Sequence, residues 1–252
     1  MPTPKVSNRA KNVPSFKVMD VLQRANELQS QGHNVVHCEV GQPESGAPKP
    51  VASAAMESLN VRNVMGYTDA FGLLPLREKI SQHYLKKYGE DSVKKERVQA
   101  KNIVVTTGSS GGFLLAFTAC FDPGDVIAVA SSGYPCYRNI LNSLGCHIAN
   151  VGINNEFKLT AKELREEISR RKREGSTKLS GLILSSPSNP TGAMLSPQEL
   201  KDLCELCDEE SIQFLSDEIY HGISYGSPEA TALTYSSNAI VINSFSKYYS
   251  SE

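Results

Sequence analysis

The sequence GDVIAVASSGYPCYRNILNSLGCHIANV, residues 124–151, decides the fold that the chain can adopt. It contains two short apolar runs, Val126 to Ala130 and His147 to Val151, with a helical pattern between them. Runs this short are typical of buried strands, and strands joined through a helix are usually parallel. The segment therefore predicts a strand–helix–strand unit.

The same alternation continues on both sides of this unit. Four further runs are predicted as strands: Ile103 to Thr106, Leu182 to Leu184, Ile212 to Leu215 and Ile240 to Ile242. A helix is predicted over Phe113 to Phe121, and capping boxes at Thr160 and Ser196, each with Glu three residues later, mark two further helix starts. We therefore predict an α/β fold with a mostly parallel sheet and helices on both faces.

The first 100 residues are predicted to contain helices and loops. Apolar residues recur at helical spacing from Val18 to Leu28, a Gly- and Pro-rich loop covers residues 41–50, and a second amphipathic helix is predicted over Leu73 to Tyr88. We divide the chain into residues 1–45, an N-terminal arm with part of a small domain, and residues 46–252, a large domain.

Composition excludes several classes of protein. Of the 252 residues 40% are hydrophobic and 21% charged, which excludes collagen-like, coiled-coil and wholly disordered chains. The formal charge of −1 gives no electrostatic reason to expect a nucleic acid or an anionic membrane as partner. The sequence shows no membrane span and no secretory signal, so we expect a cytoplasmic protein, with mitochondria as a weaker alternative.

The cysteines and histidines do not predict a metal site. The six Cys lack the density of a disulfide scaffold, and the five His lack metal-ligand spacing. Cys204 and Cys207 fall on the apolar face of a predicted helix, where we expect them to pack in the core.

Polar clusters follow five of the predicted strands. They are TTGSSGG at 106–112, SSGYP at 131–135, SSPSNPTG at 185–192, SDEIY at 216–220 and SFSK at 244–247. The carboxyl ends of parallel strands meet at one edge of a sheet, and ligands bind there. We therefore expect the functional site at this edge.

Three of these clusters suggest specific chemistry. The Gly-rich turn before an apolar helix offers free N–H groups to a phosphate, although such residues also make ordinary tight turns. Lys247 can act as a nucleophile towards an aldehyde if it loses its proton, although most lysines are merely solvated. Asp217 ends a buried strand and needs a cationic partner, such as a protonated pyridine nitrogen, unless it serves as a cap or in a salt bridge.

Three further side chains complete the set. Asn189 and Tyr220 can each donate a hydrogen bond to a phenolate oxygen, and Tyr134 offers a ring for stacking. Taken singly, Asn189 is a turn residue and Tyr134 a rim residue. The joint arrangement on successive strand ends predicts a pocket for pyridoxal 5′-phosphate (PLP).

The motifs NPTG at 189–192, DEIY at 217–220 and SFSK at 244–247 resemble those of a known family. The chain is similar, from about residue 8 to Tyr249, to the class I/II PLP-dependent aminotransferases of fold type I, the relatives of aspartate aminotransferase. The resemblance implies the fold type I large domain, with an incomplete small domain.

The resemblance also implies roles for individual residues. Lys247 is the Schiff-base lysine, Asp217 pairs with the pyridine nitrogen, Asn189 and Tyr220 contact the 3-oxygen, and Tyr134 stacks on the ring. The remaining assignments are Ser109, Ser110, Gly111 and Ser244 at the phosphate, Gly41 with Asn189 at the substrate, and Tyr67 at the phosphate of a neighbouring subunit. A homodimer with shared active sites follows from the last of these.

The implied reaction is ping-pong transamination between an amino acid and a 2-oxo acid. Lys247, Asp217 and Tyr220 are its expected catalytic residues, and Lys247 serves both as covalent anchor and as proton carrier.

The family usually continues well beyond the position of Lys247, whereas this sequence ends five residues after it. We therefore expect a C-terminally truncated chain, without the arginines that bind the cofactor phosphate and the substrate carboxylate. Arg77 and Arg138 are expected to serve packing or surface pairing. The alternatives are a non-catalytic fragment that dimerises or retains cofactor, and another activity of this fold, such as a β-lyase or an aminocyclopropane-carboxylate (ACC) synthase.

Overall fold

The computed structural model describes residues 5–11, 13–41, 43, 46–61, 66–90 and 92–249. Its N-terminal part contains the helices α1 (Asn8–Lys11), α2 (Lys17–Ser30), α3 (Lys49–Val61) and α4 (Leu74–Tyr88). Strands and helices then alternate as α5 (Gly108–Cys120), β1 (Val126–Ala130), α6 (Pro135–Leu144), β2 (His147–Val151), α7 (Ala161–Glu174), β3 (Leu179–Ser185), α8 (Pro197–Glu209), β4 (Gln213–Asp217) and β5 (Ile240–Ile242). Short 3₁₀ turns lie at Ala100–Asn102 and Ala232–Thr234.

The strands form one sheet in the order β2-β1-β3-β4-β5, and every neighbouring pair is parallel. The predicted α/β fold with a parallel sheet is therefore confirmed. The order also places β1, β3 and β4 in the centre, so their carboxyl ends lie side by side. In register, Ser185 at the end of β3 pairs with Asp217 at the end of β4, which in turn pairs with Ile242 of β5.

The prediction of a strand at Ile103 to Thr106 is wrong. The segment is extended, but it pairs with no strand in the described part of the chain. The backbone N–H of Val105 donates instead to the carbonyl of Phe71 in a loop, at 3.0 Å. Val104 is 48% exposed, so a β-branched run here lacks the burial that a sheet interior would give it.

Helices cover both faces of the sheet, as predicted. On β1, Val126, Ala128 and Ala130 point into one apolar cluster, which includes side chains of α7 and α8. Ile127 and Val129 point into a second cluster, which includes side chains of α5 and α6. This alternation is the period of two that places successive side chains of a strand on opposite faces.

Both predicted capping boxes are present. The Thr160 hydroxyl accepts from the backbone N–H of Lys162, and that of Ser196 accepts from Glu199, while each Glu returns a carboxylate contact to the cap residue. Cys204 and Cys207 lie in α8 and are buried in the first cluster, as the packing interpretation expects.

Several boundaries differ from the predictions. The helix after the Gly-rich segment begins at Gly108 rather than at Phe113, so GSSGG forms its first turn. The last two residues of the predicted loop at 41–50 belong to α3, which begins at Lys49. Within this loop, Gln42, Glu44 and Ser45 lie outside the described residues. The division at residue 45 stays a prediction.

No helix in the described residues has the length and apolar content needed to cross a bilayer.

Gly181 of β3 provides a test of the packing between the sheet and α5. A Cβ at this position would lie 2.3 Å from Cζ of Phe121, which is itself buried. We expect Gly181→Ala to lower the free energy of unfolding by about 1–3 kcal/mol, because the core must shift to admit the methyl group. Denaturant titration measures this loss.

Gly152→Ala is the matched control, since a Cβ there meets nothing within 4 Å. Its effect should lie within about 0.5 kcal/mol of zero. Equal unfolding free energies for the two variants would contradict the close approach of Phe121 to β3.

Candidate active site

A large cleft of about 2480 Å³ opens at the carboxyl ends of the strands. It brings together most of the residues singled out from the sequence, namely Gly41, Ser109, Ser110, Tyr134, Asn189, Asp217, Tyr220, Ser244 and Lys247. Two of the predicted site residues do not line it. Gly111 lies within the first turn of α5, and Tyr67 is fully exposed, with a relative exposure of 108%.

Asp217 is the last residue of β4 and is only 2% exposed. Its Oδ1 accepts from the backbone N–H of Ile219 at 3.2 Å, and its Oδ2 accepts from the hydroxyl of Tyr137. Burial raises the pKa of Asp217 to about 6, because the charged form is poorly solvated there, and the hydrogen bond from Tyr137 opposes this shift. None of the ion pairs in the described residues includes Asp217, so the carboxylate lacks a cation.

Tyr137 is a site residue that the sequence reasoning missed. It lies in α6, three residues after Tyr134, and its ring is buried in the second apolar cluster. In the sequence it appears as one more apolar position of an amphipathic helix. Only the tertiary structure reveals that its hydroxyl reaches Asp217, 80 residues further along the chain.

Asn189 and Tyr220 meet at the rim of the cleft. The Asn189 amide donates to the Tyr220 hydroxyl at 3.2 Å, which brings the two predicted partners of the 3-oxygen into contact. Burial raises the pKa of Tyr220, while the bond from Asn189 lowers it. Tyr220 is therefore a phenol that can donate its proton to an anionic oxygen.

Tyr134 lines the same cleft as Asp217. Its ring makes edge-on contacts with Phe16 at 5.7 Å and with Tyr137 at 5.6 Å between ring centres. Phe16 immediately precedes α2, so the N-terminal segment helps to hold this aromatic ring in the cleft wall.

The first turn of α5 forms one end of the cleft. The N–H groups of a first helical turn have no partners within the helix, and the helix dipole adds positive potential there. A Cβ at Gly111 would lie 3.0 Å from Oγ1 of Thr107, so a larger residue there would require Thr107 to shift. The hydroxyl of Ser244, after β5, lies 3.0 Å from that of Ser246 and also faces this cleft.

Lys247 extends from the segment after β5 towards the N-terminal part of the chain. Its Nζ donates to the carbonyl oxygen of Gly41 at 3.3 Å. Two residues separated by 206 positions therefore meet in the cleft, and both come from motifs that the resemblance assigns to one active site.

The two arginines noted in the sequence serve packing. Arg77 is buried and donates to the carbonyls of Gly72 at 3.1 Å and Ala100 at 2.8 Å. Arg138 donates to the carbonyl of Ala130 at 2.8 Å and to the side chain of Asn150. Both guanidinium groups thus hold loops and strand ends together.

The chemistry of the cleft fits PLP. A buried carboxylate without a cation suits a protonated pyridine nitrogen, and the first turn of α5 suits a phosphate. Lys247 supplies an amine, and the pair formed by Asn189 and Tyr220 supplies donors for the 3-oxygen. In the described residues, no three His, Cys, Asp or Glu side chains come together as a metal site requires.

Comparison with known protein families agrees with this geometry. The model of the family "Aminotransferase class I and II" matches residues 34–252. The chain belongs to this family.

Individual aminotransferases match along almost the whole chain. The valine–pyruvate aminotransferase of Mycobacterium tuberculosis is 44% identical over 251 residues, which is 98% of this chain and 61% of that protein. The (5-formylfuran-3-yl)methyl phosphate transaminase of Methanocaldococcus jannaschii is 35% identical over 247 residues, which is 97% of this chain and 60% of that protein. The chain therefore spans about three fifths of the length of these aminotransferases.

Solved structures support the fold. The crystal structure of an aminotransferase from Mycobacterium tuberculosis has a TM-score of 0.87 at 44% identity and covers 98% of this chain and 61% of its own. Aspartate aminotransferase from Thermus thermophilus with maleate also has a TM-score of 0.87, at 24% identity, covering 98% and 62%; this shows the shared fold alone.

Glu218, beside Asp217, is a second buried acid in this aminotransferase chain. Its Oε1 accepts from the backbone N–H of Ala232 and from the hydroxyls of Thr231 and Ser216, at 2.9–3.1 Å. Its Oε2 is buried without a hydrogen-bond partner in the described structure. Burial raises the pKa of Glu218 to about 7, so the neutral acid is favoured at lower pH.

Replacing Tyr137 tests its hydrogen bond to Asp217. Tyr137→Phe removes a donor that favours the charged carboxylate, so the pKa of Asp217 should rise from about 6 by about one unit. Carbon-13 NMR of the Asp217 carboxyl group over a pH series measures the shift. Tyr235→Phe, in the first apolar cluster, is the control and should leave this pKa unchanged. A lower pKa in Tyr137→Phe would contradict the assigned bond.

Glu218→Gln tests the buried neutral acid. The pKa of Glu218 rises from an ordinary 4.5 to about 7 on folding, so ionisation in the unfolded state weakens the wild type as the pH rises through this interval. We expect the stability of wild type relative to Glu218→Gln to fall by up to about 3 kcal/mol between pH 4.5 and 7.5.

Denaturant unfolding at several pH values measures this difference. Glu166→Gln is the control, because Glu166 is exposed, and its stability relative to wild type should not vary over this range. A parallel pH profile for Glu218→Gln and wild type would show that Glu218 is ionised in the folded chain.

Proposed function

We propose that the full protein is a PLP-dependent aminotransferase, which moves an amino group between an amino acid and a 2-oxo acid. The observation that carries this proposal is the buried, cation-free carboxylate of Asp217 in the same cleft as Lys247. Because the matched relatives are longer than this chain, the transfer reaction is proposed for the whole protein and cofactor binding for this chain.

The large domain, residues 46–252, would hold the cofactor at several points. Asp217 keeps a proton on the pyridine nitrogen, because a positive charge there satisfies the buried carboxylate. Tyr134 stacks on the ring, and Asn189 and Tyr220 donate to the 3-oxygen. The N–H groups of Ser109, Ser110 and Gly111, with the hydroxyl of Ser244, bind the phosphate.

Lys247 would do two things in the reaction. Its amine would hold the cofactor covalently, and as a free amine it would carry a proton to and from the α-carbon of the substrate. PLP, when bound, supplies the electron sink that makes this proton acidic. Gly41, whose carbonyl lies 3.3 Å from Nζ, is proposed to lie beside the substrate carboxylate together with Asn189.

A homodimer forms part of this proposal. The Tyr67 ring is fully exposed and does not line the cleft of its own chain. The residues after it add exposed apolar side chains at Phe71, Leu73 and Leu74. An exposed tyrosine beside an apolar stretch supports the assignment of Tyr67 to the phosphate site of a second subunit.

Borohydride trapping tests whether Lys247 forms a covalent bond with PLP. The purified chain is incubated with PLP, reduced with borohydride and mapped by peptide mass spectrometry. We expect one pyridoxyl group, on Lys247, and its loss in Lys247→Ala. Lys79 also lines the cleft, so Lys79→Ala is the matched control and should keep the label. A label on Lys79 instead, or none on wild type, would overturn the proposal.

A further inference from the structure

The residue that follows Tyr220 is a buried histidine outside the cleft. His221 is only 6% exposed and does not line the cleft in which Tyr220 lies. Both of its ring nitrogens are engaged. Nε2 lies 2.9 Å from the carbonyl oxygen of Ser186, and Nδ1 lies 2.6 Å from the hydroxyl of Tyr88.

The contact with Ser186 fixes which nitrogen of a neutral ring carries the proton, while Nδ1 also lies 3.5 Å from Oε2 of the buried Glu218. A carbonyl oxygen only accepts, so Nε2 carries the proton and donates it to Ser186. The neutral ring then accepts at Nδ1 from the Tyr88 hydroxyl. Burial lowers the pKa of His221 to about 4, which agrees with a neutral imidazole.

His221 ties together two loops of the cleft. One loop follows β3 and contains Ser186 and Asn189; the other follows β4 and contains Tyr220 and His221. The loops also touch at the rim, where Asn189 donates to Tyr220 at 3.2 Å. The bond from His221 to the Ser186 carbonyl is a further tie, in addition to the backbone bond from the Ser186 N–H to the Asp217 carbonyl at 3.2 Å.

Helix α4 supports this tie from outside the sheet. Tyr84 and Tyr88 lie one turn apart on it, and their ring centres are 5.4 Å apart. Tyr88 donates to His221, and the Tyr84 hydroxyl accepts from the side chain of Asn243, the residue before Ser244. One helix therefore contacts the neighbours of two proposed cofactor ligands.

We propose that His221, held in its Nε2–H tautomer by Tyr88, is a positioning residue that sets the spacing of Asn189 and Tyr220 around the 3-oxygen of bound PLP. The inference rests on the proposed function, since it concerns the placement of two proposed cofactor ligands. Because the ring does not line the cleft, it acts through the backbone of Ser186 rather than by contact with the cofactor.

A pair of substitutions separates this role from simple packing. The amide of His221→Gln can place a donor near the position of Nε2, whereas that of His221→Asn is too short to reach Ser186. We expect His221→Asn to weaken PLP binding by roughly five- to tenfold, as the loss of one hydrogen bond implies, and His221→Gln to restore most of it. Titration of the apo chain with PLP, followed by absorbance, measures the dissociation constants.

A double-mutant cycle with Asn189→Ala tests whether His221 affects PLP affinity through the position of Asn189. If His221 acts by placing Asn189, then His221→Asn should cost little further affinity in the Asn189→Ala background. Additive losses, or an unchanged dissociation constant in His221→Asn, would overturn the inference while leaving cofactor binding intact. Absence of PLP binding by wild type would instead defeat the proposed function.

Nitrogen-15 NMR of the apo chain provides a measurement that does not need the cofactor, and its main result comes from the wild type. The two ring nitrogens of His221 should show the neutral Nε2–H form at pH 7. Tyr88→Phe should alter the Nδ1 shift by removing its donor. A doubly protonated ring, or a proton on Nδ1, would contradict the hydrogen-bond arrangement on which the inference stands.

Discussion

A negative charge buried at the end of β4 is the constraint on which the rest of the site depends. A lone carboxylate in such surroundings either takes up a proton or finds a cation. The protein supplies Asp217 with two hydrogen bonds, from Tyr137 and from the backbone of Ile219, and with no ion pair in the described residues. The Asp217 carboxylate is therefore oriented by uncharged hydrogen-bond donors, and it can form an ion pair with a cationic ring.

The parallel sheet makes this arrangement possible. Because β1, β3 and β4 run in the same direction, the segments after them open at one edge. Each segment contributes a different group. The ring of Tyr134 follows β1, the amide of Asn189 follows β3, and β4 ends at Asp217, with Tyr220 three residues later. The N-terminal turn of α5 adds its free N–H groups at the same edge. The cleft is therefore built from backbone positions that the sheet register fixes.

Most of the fold and of the candidate site was accessible from the sequence. Short apolar runs, capping residues and turns are local signals. They predicted all five strands of the sheet and the helices α2 and α4 to α8, but also a sixth strand that pairs with nothing in the described residues. Ile103 to Thr106 has the composition of a strand, yet whether a run pairs depends on a neighbour that composition does not contain. The motifs at the strand ends predicted Asp217, Asn189, Tyr220 and Lys247, which the structure brings to one cleft.

Tyr137, Glu218 and His221 could not be predicted in the same way. The role of each depends on burial or on contacts with residues far away in the chain, and none of the three lies in a sequence pattern that indicates this role. Tyr137 has the spacing of a core residue, and its hydroxyl acquires a role only because the tertiary structure brings it to Asp217 at the end of β4. His221 is bonded to Tyr88 across 133 positions, a separation that only the tertiary structure closes.

The position of β5 links one edge of the sheet to Lys247. In the described residues β5 is bonded along one side only, to β4, and its three residues are half-buried. Ser244 and Lys247 follow within a few residues of this open border. A strand added along this edge would hold the segment before Lys247 more firmly. Fraying of β5 would leave the Lys247 side chain less well positioned. A cofactor held at Ser244 and Lys247 should in turn limit fraying of β5, and so reduce the exposure of unpaired backbone groups to intermolecular strand addition.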